Sequence, residues 1–174
     1  MSSDWSSDVC SSDLGVPKYP MRDWRNNPPC PEHDEKRVIR RIFDGTLQRF
    51  EVTKVKAEVK GFRTYGLNDI SIHSARRSSA VRYRLWLDEE LYASQIVGDG
   101  LVVATPFGSS GYYRSITHSI FRIGLGLAFN NSTEQIDHLV VSEQTRAKVD
   151  IIRGPAVLVT DNDPKELTVD TDDC

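Results

Sequence analysis

From about residue 50 onward, the chain is dominated by short runs in which hydrophobic and polar residues alternate. A period of two is typical of half-buried β-strands, and glycine, proline, asparagine and aspartate separate the runs. In one run, Val81, Tyr83, Leu85 and Leu87 fall on a single face. Many short strands in succession predict a mainly β domain. The runs lie at 48–61, 67–73, 80–88, 89–98, 138–143, 147–154, 155–161 and 166–170.

Two segments have helical rather than strand periodicity. In the segment 35–45, EKRVIRRIFDG, the apolar residues recur at helical spacing and Gly45 is a suitable stop. The segment 111–124, GYYRSITHSIFRIG, predicts the one internal helix, with a serine as its N-cap. We therefore expect one or two short helices beside the strands.

The stretch 98–115, GDGLVVATPFGSSGYYRS, combines a strand, a turn of small residues and the start of a helix. The apolar run ends at Thr105, because Pro106 cannot donate to a sheet ladder. The segment 108–111, Gly-Ser-Ser-Gly, provides a backbone that another group can approach closely. Such a turn can present backbone N–H groups and hydroxyls to a ligand, which makes it the candidate site.

Composition, charge and cysteine spacing argue against several classes of function. The chain has 174 residues and a net charge of −3, which gives no electrostatic case for nucleic-acid binding. It has neither an apolar run long enough for a membrane span nor a secretory signal, so we expect a cytoplasmic protein. Three widely spaced cysteines predict neither disulfides nor a zinc site, and we do not expect His73 and His118 to form a metal pair. The cysteines are Cys10, Cys30 and Cys174.

Residues 2–14 lack the hydrophobic periodicity of the folded part of the chain. Ser-Ser-Asp occurs three times within residues 2–14, and the segment SSDVCSSDL is similar to a translated sequencing adapter. We therefore interpret residues 1–14 as an artefact, with the true upstream sequence lost. Residues 15–35 contain five prolines and predict an irregular linker or a remnant of a first domain. We expect the folded domain to occupy residues 36–174.

Two motifs, GLNDISIH at 66–73 and GDGLVVATPFGSSGYYRS at 98–115, resemble the second domain of NAD kinases. That family carries an Asn-Glu pair on a strand and, about thirty residues later, Asp-Gly, a short apolar strand and Thr-Pro-x-Gly-Ser-Thr-Ala-Tyr. The resemblance extends from about Val38 to about Asp170. It implies a distorted β-sandwich-like domain and NAD as the bound substrate.

The resemblance also implies roles for individual residues. Asn68 and Asp69 take the place of the pair that contacts the adenosine part of NAD, although Asp69 is shorter than the usual glutamate. Asp99 takes the place of an aspartate near the nicotinamide end, often reached across a subunit contact. The remaining positions stand in the turn that holds the dinucleotide, with two bulky neighbours, Phe107 and Tyr113, affecting the shape of the pocket. These turn residues are Thr105, Gly108, Ser109, Ser110, Gly111, Tyr112 and Ser115.

The implied reaction is phosphorylation of the 2′-hydroxyl of the adenosine ribose of NAD, which gives NADP. The donor would be ATP or polyphosphate with Mg²⁺, and the family commonly forms dimers or tetramers. Its general base lies in a Gly-Gly-Asp-Gly loop of an α/β first domain, and this sequence has no such motif. We interpret Asp44-Gly45 as a helix stop. The chain is thus expected to be a fragment that carries the NAD-binding part, without catalytic residues of its own and inactive alone.

Two alternatives belong to other classes. The second domain of diacylglycerol or sphingosine kinases is also a β-sandwich, but a lipid acceptor would require a long apolar groove. The second alternative is a non-catalytic nucleotide-binding or oligomerisation module. Separate titrations with NAD and ATP distinguish the acceptor site from the module.

Overall fold

A computed structural model describes residues 34–48, 50–76 and 78–171. The predicted artefact, the linker before residue 34 and all three cysteines lie outside these residues. The chain divides into two compact units, Met1–Val52 and Thr53–Cys174.

The described part of the first unit contains one helix, α1 (Glu35–Phe43), as the periodicity predicted. The carboxylate of Asp34 caps it by accepting a hydrogen bond of 3.1 Å from the backbone N–H of Arg37. Gly45 follows at a φ of 63°, a left-handed backbone that suits glycine and ends the helix.

The second unit is mainly β, as expected, and all of its strand pairs are antiparallel. A six-stranded sheet has the order β11-β10-β3-β6-β7-β8, a three-stranded sheet has the order β5-β4-β9, and β1-β2 is a hairpin. The strands are β1 (Val55–Val59), β2 (Phe62–Gly66), β3 (Asp69–Ser74), β4 (Val81–Leu87), β5 (Glu90–Gly98), β6 (Gly100–Ala104), β7 (Leu125–Asn130), β8 (His138–Val141), β9 (Ala147–Arg153), β10 (Ala156–Thr160) and β11 (Leu167–Val169).

The main core lies between the two larger sheets. Tyr83 and Leu85 of β4 are fully buried in one cluster with Leu101 of β6 and Leu127 of β7. Because side chains alternate along a strand, β4 contributes one face to this cluster, as its periodicity predicted. This is sheet-on-sheet packing, and the unit is β-sandwich-like.

The opposite face of the six-stranded sheet contacts the second helix, α2 (Tyr112–Thr117). Tyr113 packs there in a cluster with Val102 and Ala128, and its ring meets that of Phe121 edge to face. Tyr113 is therefore a core residue. The small residues on this face let α2 lie close, because a Cβ at Gly126 would stand 2.6 Å from the Tyr113 ring.

The local predictions were wrong in three places. The internal helix ends at Thr117, where His118 adopts a left-handed φ of 55°, so it is much shorter than 111–124. Its N-cap is Gly111, without a side-chain cap, and not a serine. The strand predicted from residue 48 begins only at Val55.

We expect Leu127→Ala to destabilise the second unit by about 2–5 kcal/mol, since it leaves a cavity between the two sheets. Val140→Ala on the adjacent strand β8 is the matched control. Val140 is 48% exposed, so its change should stay within about 0.5 kcal/mol. Urea unfolding of both variants measures the difference, and equal losses would contradict the described core.

Candidate functional site

The two predicted motifs meet where β3 begins and β6 ends. Asp69 is the register partner of Ala104, which places Asn68 beside Thr105 although they are 37 residues apart in sequence. The backbone N–H of Thr105 donates to the carbonyl oxygen of Asn68 at 2.9 Å. The sheet therefore joins the two motifs into one structure.

Thr105 is buried completely and connects three backbone segments. Its hydroxyl donates to the carbonyl of Leu67 at 2.6 Å and accepts a 3.2 Å hydrogen bond from the N–H of Gly108. The side chain is therefore satisfied inside the protein. Thr105 shapes the site and does not present its hydroxyl to a ligand.

Gly108 is held against Asn68 so closely that only glycine fits. A Cβ at this position would stand 2.1 Å from the carbonyl oxygen of Asn68, far inside van der Waals contact. Since the neighbour is backbone, it cannot rotate away. The glycine thus allows the turn to lie directly against the start of β3.

The two serines of the turn have different environments. Ser109 is buried, and its hydroxyl lies 2.8 Å from the carbonyl of Pro106 and 3.0 Å from that of Phe121. Ser110 and Gly111 are exposed. Together with Ser115, which is also exposed, these two have the open surface that a ligand requires, whereas Ser109 stabilises the turn from inside.

Asp161, in the turn after β10, holds the N–H groups at the start of β3, and sequence reasoning missed it. Its Oδ1 accepts hydrogen bonds from the N–H groups of Asn68 at 2.7 Å and Asp69 at 3.1 Å. Its Oδ2 accepts one from Leu67 at 2.9 Å. An aspartate after a strand is a frequent partner of backbone N–H groups, but its partners here are more than 90 residues away.

Asp69 is an unusual carboxyl group because it is only 7% exposed. Burial, together with the nearby negative charge of Asp161, raises its pKa to about 7. The folded chain therefore keeps a proton that the unfolded chain releases near pH 4. Ionisation of Asp69 consequently lowers stability as the pH rises from about 4 to about 7.

Tyr112 lies between the two acidic positions of the site. Burial raises the pKa of its hydroxyl, and the charges of Asp69 and then Asp99 add to the effect. The hydroxyl accepts a 3.1 Å hydrogen bond from the side chain of Asn130. Its ring centroid is 5.7 Å from that of His73, whose Nε2 is 2.8 Å from the hydroxyl of Ser71.

A cavity of about 410 Å³ opens between α2 and the segment that follows β7. Of the predicted site residues, Tyr112 and Ser115 line it, and the hydroxyl of Ser115 donates to the Tyr112 carbonyl at 2.7 Å. The start of β3 does not line it, so the predicted residues fall into two neighbouring regions joined through Tyr112. The rest of the wall combines amide and acidic side chains with Ser132 and three apolar ones. The amide and acidic residues are Asn130, Asn131, Glu134, Gln135 and Asp137, and the apolar residues are Ile116, Phe129 and Ile136.

Asp99 stands at the edge of these regions, exposed in the turn between β5 and β6. Its carboxylate accepts a 3.2 Å hydrogen bond from the side chain of Asn131, a cavity residue.

Burial lowers the pKa of His73, which favours the neutral imidazole. Within residues 34–48, 50–76 and 78–171, no group of His, Cys, Asp or Glu is arranged to hold a metal ion.

We expect Gly108→Ala to disrupt the turn, because its Cβ would overlap the Asn68 carbonyl. Overpacking of this kind costs about 1–3 kcal/mol. Gly111→Ala is the matched control, since its Cβ would meet nothing closer than 3.3 Å and the loss should be smaller. Thermal unfolding compares the two, and an equal or larger loss for Gly111→Ala would contradict the described contact.

Comparison with characterised proteins identifies sequence relatives over part of the chain. The chain is 32% identical to an NAD kinase of Clostridium botulinum (strain ATCC 19397 / Type A) over 83 residues, 45% of this chain and 29% of the relative. It is 32% identical to an NAD kinase of Porphyromonas gingivalis over 82 residues, 46% and 28% of the two chains. The chain thus spans less than a third of these relatives, and no family model matches it.

Two solved structures have the same fold. Yeast NADH kinase complexed with NADH has a TM-score of 0.72 at 20% identity, over 82% of this chain and 43% of that one. An NAD kinase from Archaeoglobus fulgidus in complex with ATP has a TM-score of 0.59 at 20% identity, over 76% and 53%. The sequence matches relate this part of the chain to NAD kinases, and the two structures show that the fold is shared.

Proposed function

We propose that this chain carries the NAD-binding part of an NAD kinase. The intact enzyme would transfer a phosphoryl group to the 2′-hydroxyl of the adenosine ribose of NAD. The observation that carries the proposal is the contact between Asn68 and the turn at Thr105 and Gly108. It brings an amide and a carboxyl side chain next to an open turn of small residues.

The residues of this site suit a nucleoside with free hydroxyl groups. Asn68 can donate and accept hydrogen bonds through its amide, and Asp69 can accept them through its carboxyl group. A site of this kind discriminates strongly, because a wrong ligand leaves partly buried polar groups unpaired. We assign these two residues to the adenosine ribose.

The turn and the cavity would hold the rest of the dinucleotide. The exposed Ser110 and Gly111 leave room for the pyrophosphate beside the turn. The ring of Tyr112 provides a flat surface next to the cavity, whose amide and acidic wall suits the nicotinamide carboxamide. Asp99 and Ser115 stand at the edges of this region, so we assign them to the nicotinamide end.

The phosphate donor and its metal ion are expected to be held largely by other parts of the enzyme. The yeast relative in fold was solved with NADH and the Archaeoglobus relative with ATP, which supports NAD as acceptor and ATP as donor. Among the described residues, no group of three or more His, Cys, Asp or Glu is arranged to hold a metal ion. What they contribute to phosphoryl transfer is the position of the acceptor hydroxyl, a large part of catalysis in this reaction class.

The lipid-kinase alternative is not favoured. The sequence relatives are NAD kinases, and the cavity beside α2 has a wall rich in amide and acidic groups. A lipid acceptor would require an extended apolar groove. The second alternative, a non-catalytic nucleotide-binding or oligomerisation module, is distinguished by separate titrations with NAD and ATP, because only the acceptor-site proposal requires tighter binding of NAD than of ATP.

Location and assembly follow from the same proposal. No helix in the described part of the chain is long and apolar enough to cross a bilayer. We propose that the enzyme acts in the cytoplasm as a homo-oligomer, a dimer or a tetramer. The oligomeric state rests on the resemblance to the NAD kinase family, and the location rests on the features of the sequence described above.

We expect the 174-residue chain to bind NAD more tightly than ATP, and Asn68→Ala to weaken NAD binding about tenfold or more, since it removes hydrogen bonds to the ribose. Isothermal titration calorimetry with each nucleotide measures both effects. Gln95→Ala, an exposed amide on β5, is the matched control and should bind NAD as the wild type does. Equal weakening by both substitutions, or tighter binding of ATP, would contradict the acceptor-site assignment.

We also expect the chain alone to produce no NADP from NAD and ATP, because its sequence has no Gly-Gly-Asp-Gly loop. An enzymatic assay coupled to NADP formation, run on the purified chain, measures this. Sustained turnover would show that the catalytic group lies within these 174 residues.

A further inference from the structure

Asp161 connects two distant parts of the chain at the candidate site. Its carboxylate accepts hydrogen bonds from three consecutive N–H groups, those of Leu67, Asn68 and Asp69. Its own N–H donates to the carbonyl of Asp69 at 2.9 Å. Hydrogen bonds to a charged acceptor are among the strong ones, so this arrangement restrains the start of β3 firmly.

We propose that Asp161 is a positioning residue of the NAD-binding site, which fixes the backbone at Asn68 and Asp69 so that their side chains meet the adenosine ribose. This inference rests on the proposed function for the identity of the ligand. Asp161 itself is assigned no contact with NAD. It acts through the two residues whose backbone it holds.

The restraint from Asp161 complements the one from Thr105. Asp161 binds the N–H groups of the segment, whereas Thr105 binds the carbonyls of Leu67 and Asn68. With donors and acceptors both held, the segment has little freedom to rotate. Asn68 is then presented by a rigid backbone, which lowers the ordering cost of ligand binding.

The charge of Asp161 also acts on Asp69 directly. It is the second cause, after burial, of the raised pKa of Asp69. Other ionisable groups on this side include Tyr112 from α2 and His73 further along β3, on both of which the charge of Asp99 acts, and Glu166, whose charge acts on His73. Removing the charge at position 161 should therefore ease ionisation of Asp69, which an effect on stability alone would not do.

The backbone at Asp161 makes Asp161→Asn the informative substitution. Asp161 has a left-handed φ of 49°, which asparagine tolerates well and alanine does not. Replacement by asparagine therefore keeps the shape and removes the charge and one acceptor oxygen. Asp161→Glu keeps the charge and both oxygens on a longer side chain that suits a left-handed φ less well, and serves as the charge-retaining variant.

The matched control lies in the same turn. The Oδ1 of Asp163 accepts a 2.9 Å hydrogen bond from the N–H of Lys165, two residues away, so its contact is local. Asp163→Asn makes the same change in charge without touching the start of β3. A general effect of charge would appear in both variants.

The experiment compares the full chain and the three variants in two measurements. NMR titration of the side-chain carboxyl carbon gives the ionisation midpoint of Asp69 without ligand, and calorimetry gives the affinity for NAD. For Asp161→Asn we expect the midpoint to fall by about half a pH unit or more and NAD to bind about tenfold more weakly. Asp163→Asn should match the wild type, and Asp161→Glu should restore part of the midpoint shift.

The proposed function and the positioning role of Asp161 can fail separately. If the wild-type chain does not bind NAD, the proposed function is contradicted, while the Asp69 midpoint still shows whether the carboxylate of Asp161 acts on this segment. If Asp161→Asn leaves the midpoint and the NAD affinity unchanged, the positioning role is overturned. Loss of thermal stability without either change would show that Asp161 is merely structural and would likewise overturn it.

Discussion

The candidate site depends on the two-sided restraint of three residues, Leu67 to Asp69. Asp161 holds their N–H groups, and Thr105 holds the carbonyls of Leu67 and Asn68. Neither partner is near this segment in sequence, so the restraint exists only in the folded chain. Backbone groups that are paired in this way leave the side chains of Asn68 and Asp69 as the groups that can respond to a ligand.

The sandwich explains why this restraint can be rigid. The sheet that contains β3 and β6 packs one face against the three-stranded sheet, where Leu101 and Leu127 are buried. Its other face carries α2, which positions Tyr112 beside the cavity. That face is itself partly apolar, with Val102 and Ala128 buried against Tyr113 of α2. The sheet is therefore packed on both faces, and this packing supports Asp69, a buried carboxyl group with a raised pKa.

Most strands and the resemblance to NAD kinases could be predicted from the sequence. Hydrophobic alternation and a long motif can each be recognised within a short segment of the chain. The sequence was insufficient for β7, where nearly every residue is buried and the small Gly126 and Ala128 replace the polar residues that mark a half-buried strand. Asp161 was missed for a different reason: its partners lie more than 90 residues away. The inward direction of the Ser109 hydroxyl also depends on a distant contact, the carbonyl of Phe121.

The central claim is that the start of β3, the turn at 108–112 and the cavity beside α2 form one NAD site. The most direct measurement is an NMR map of backbone amide shifts of the full chain during titration with NAD. The account predicts that the largest saturable changes fall at Asn68, Asp69 and the segment 108–112, with further changes at cavity residues such as Asn130. Changes confined to other surfaces, or none at millimolar NAD, would contradict it.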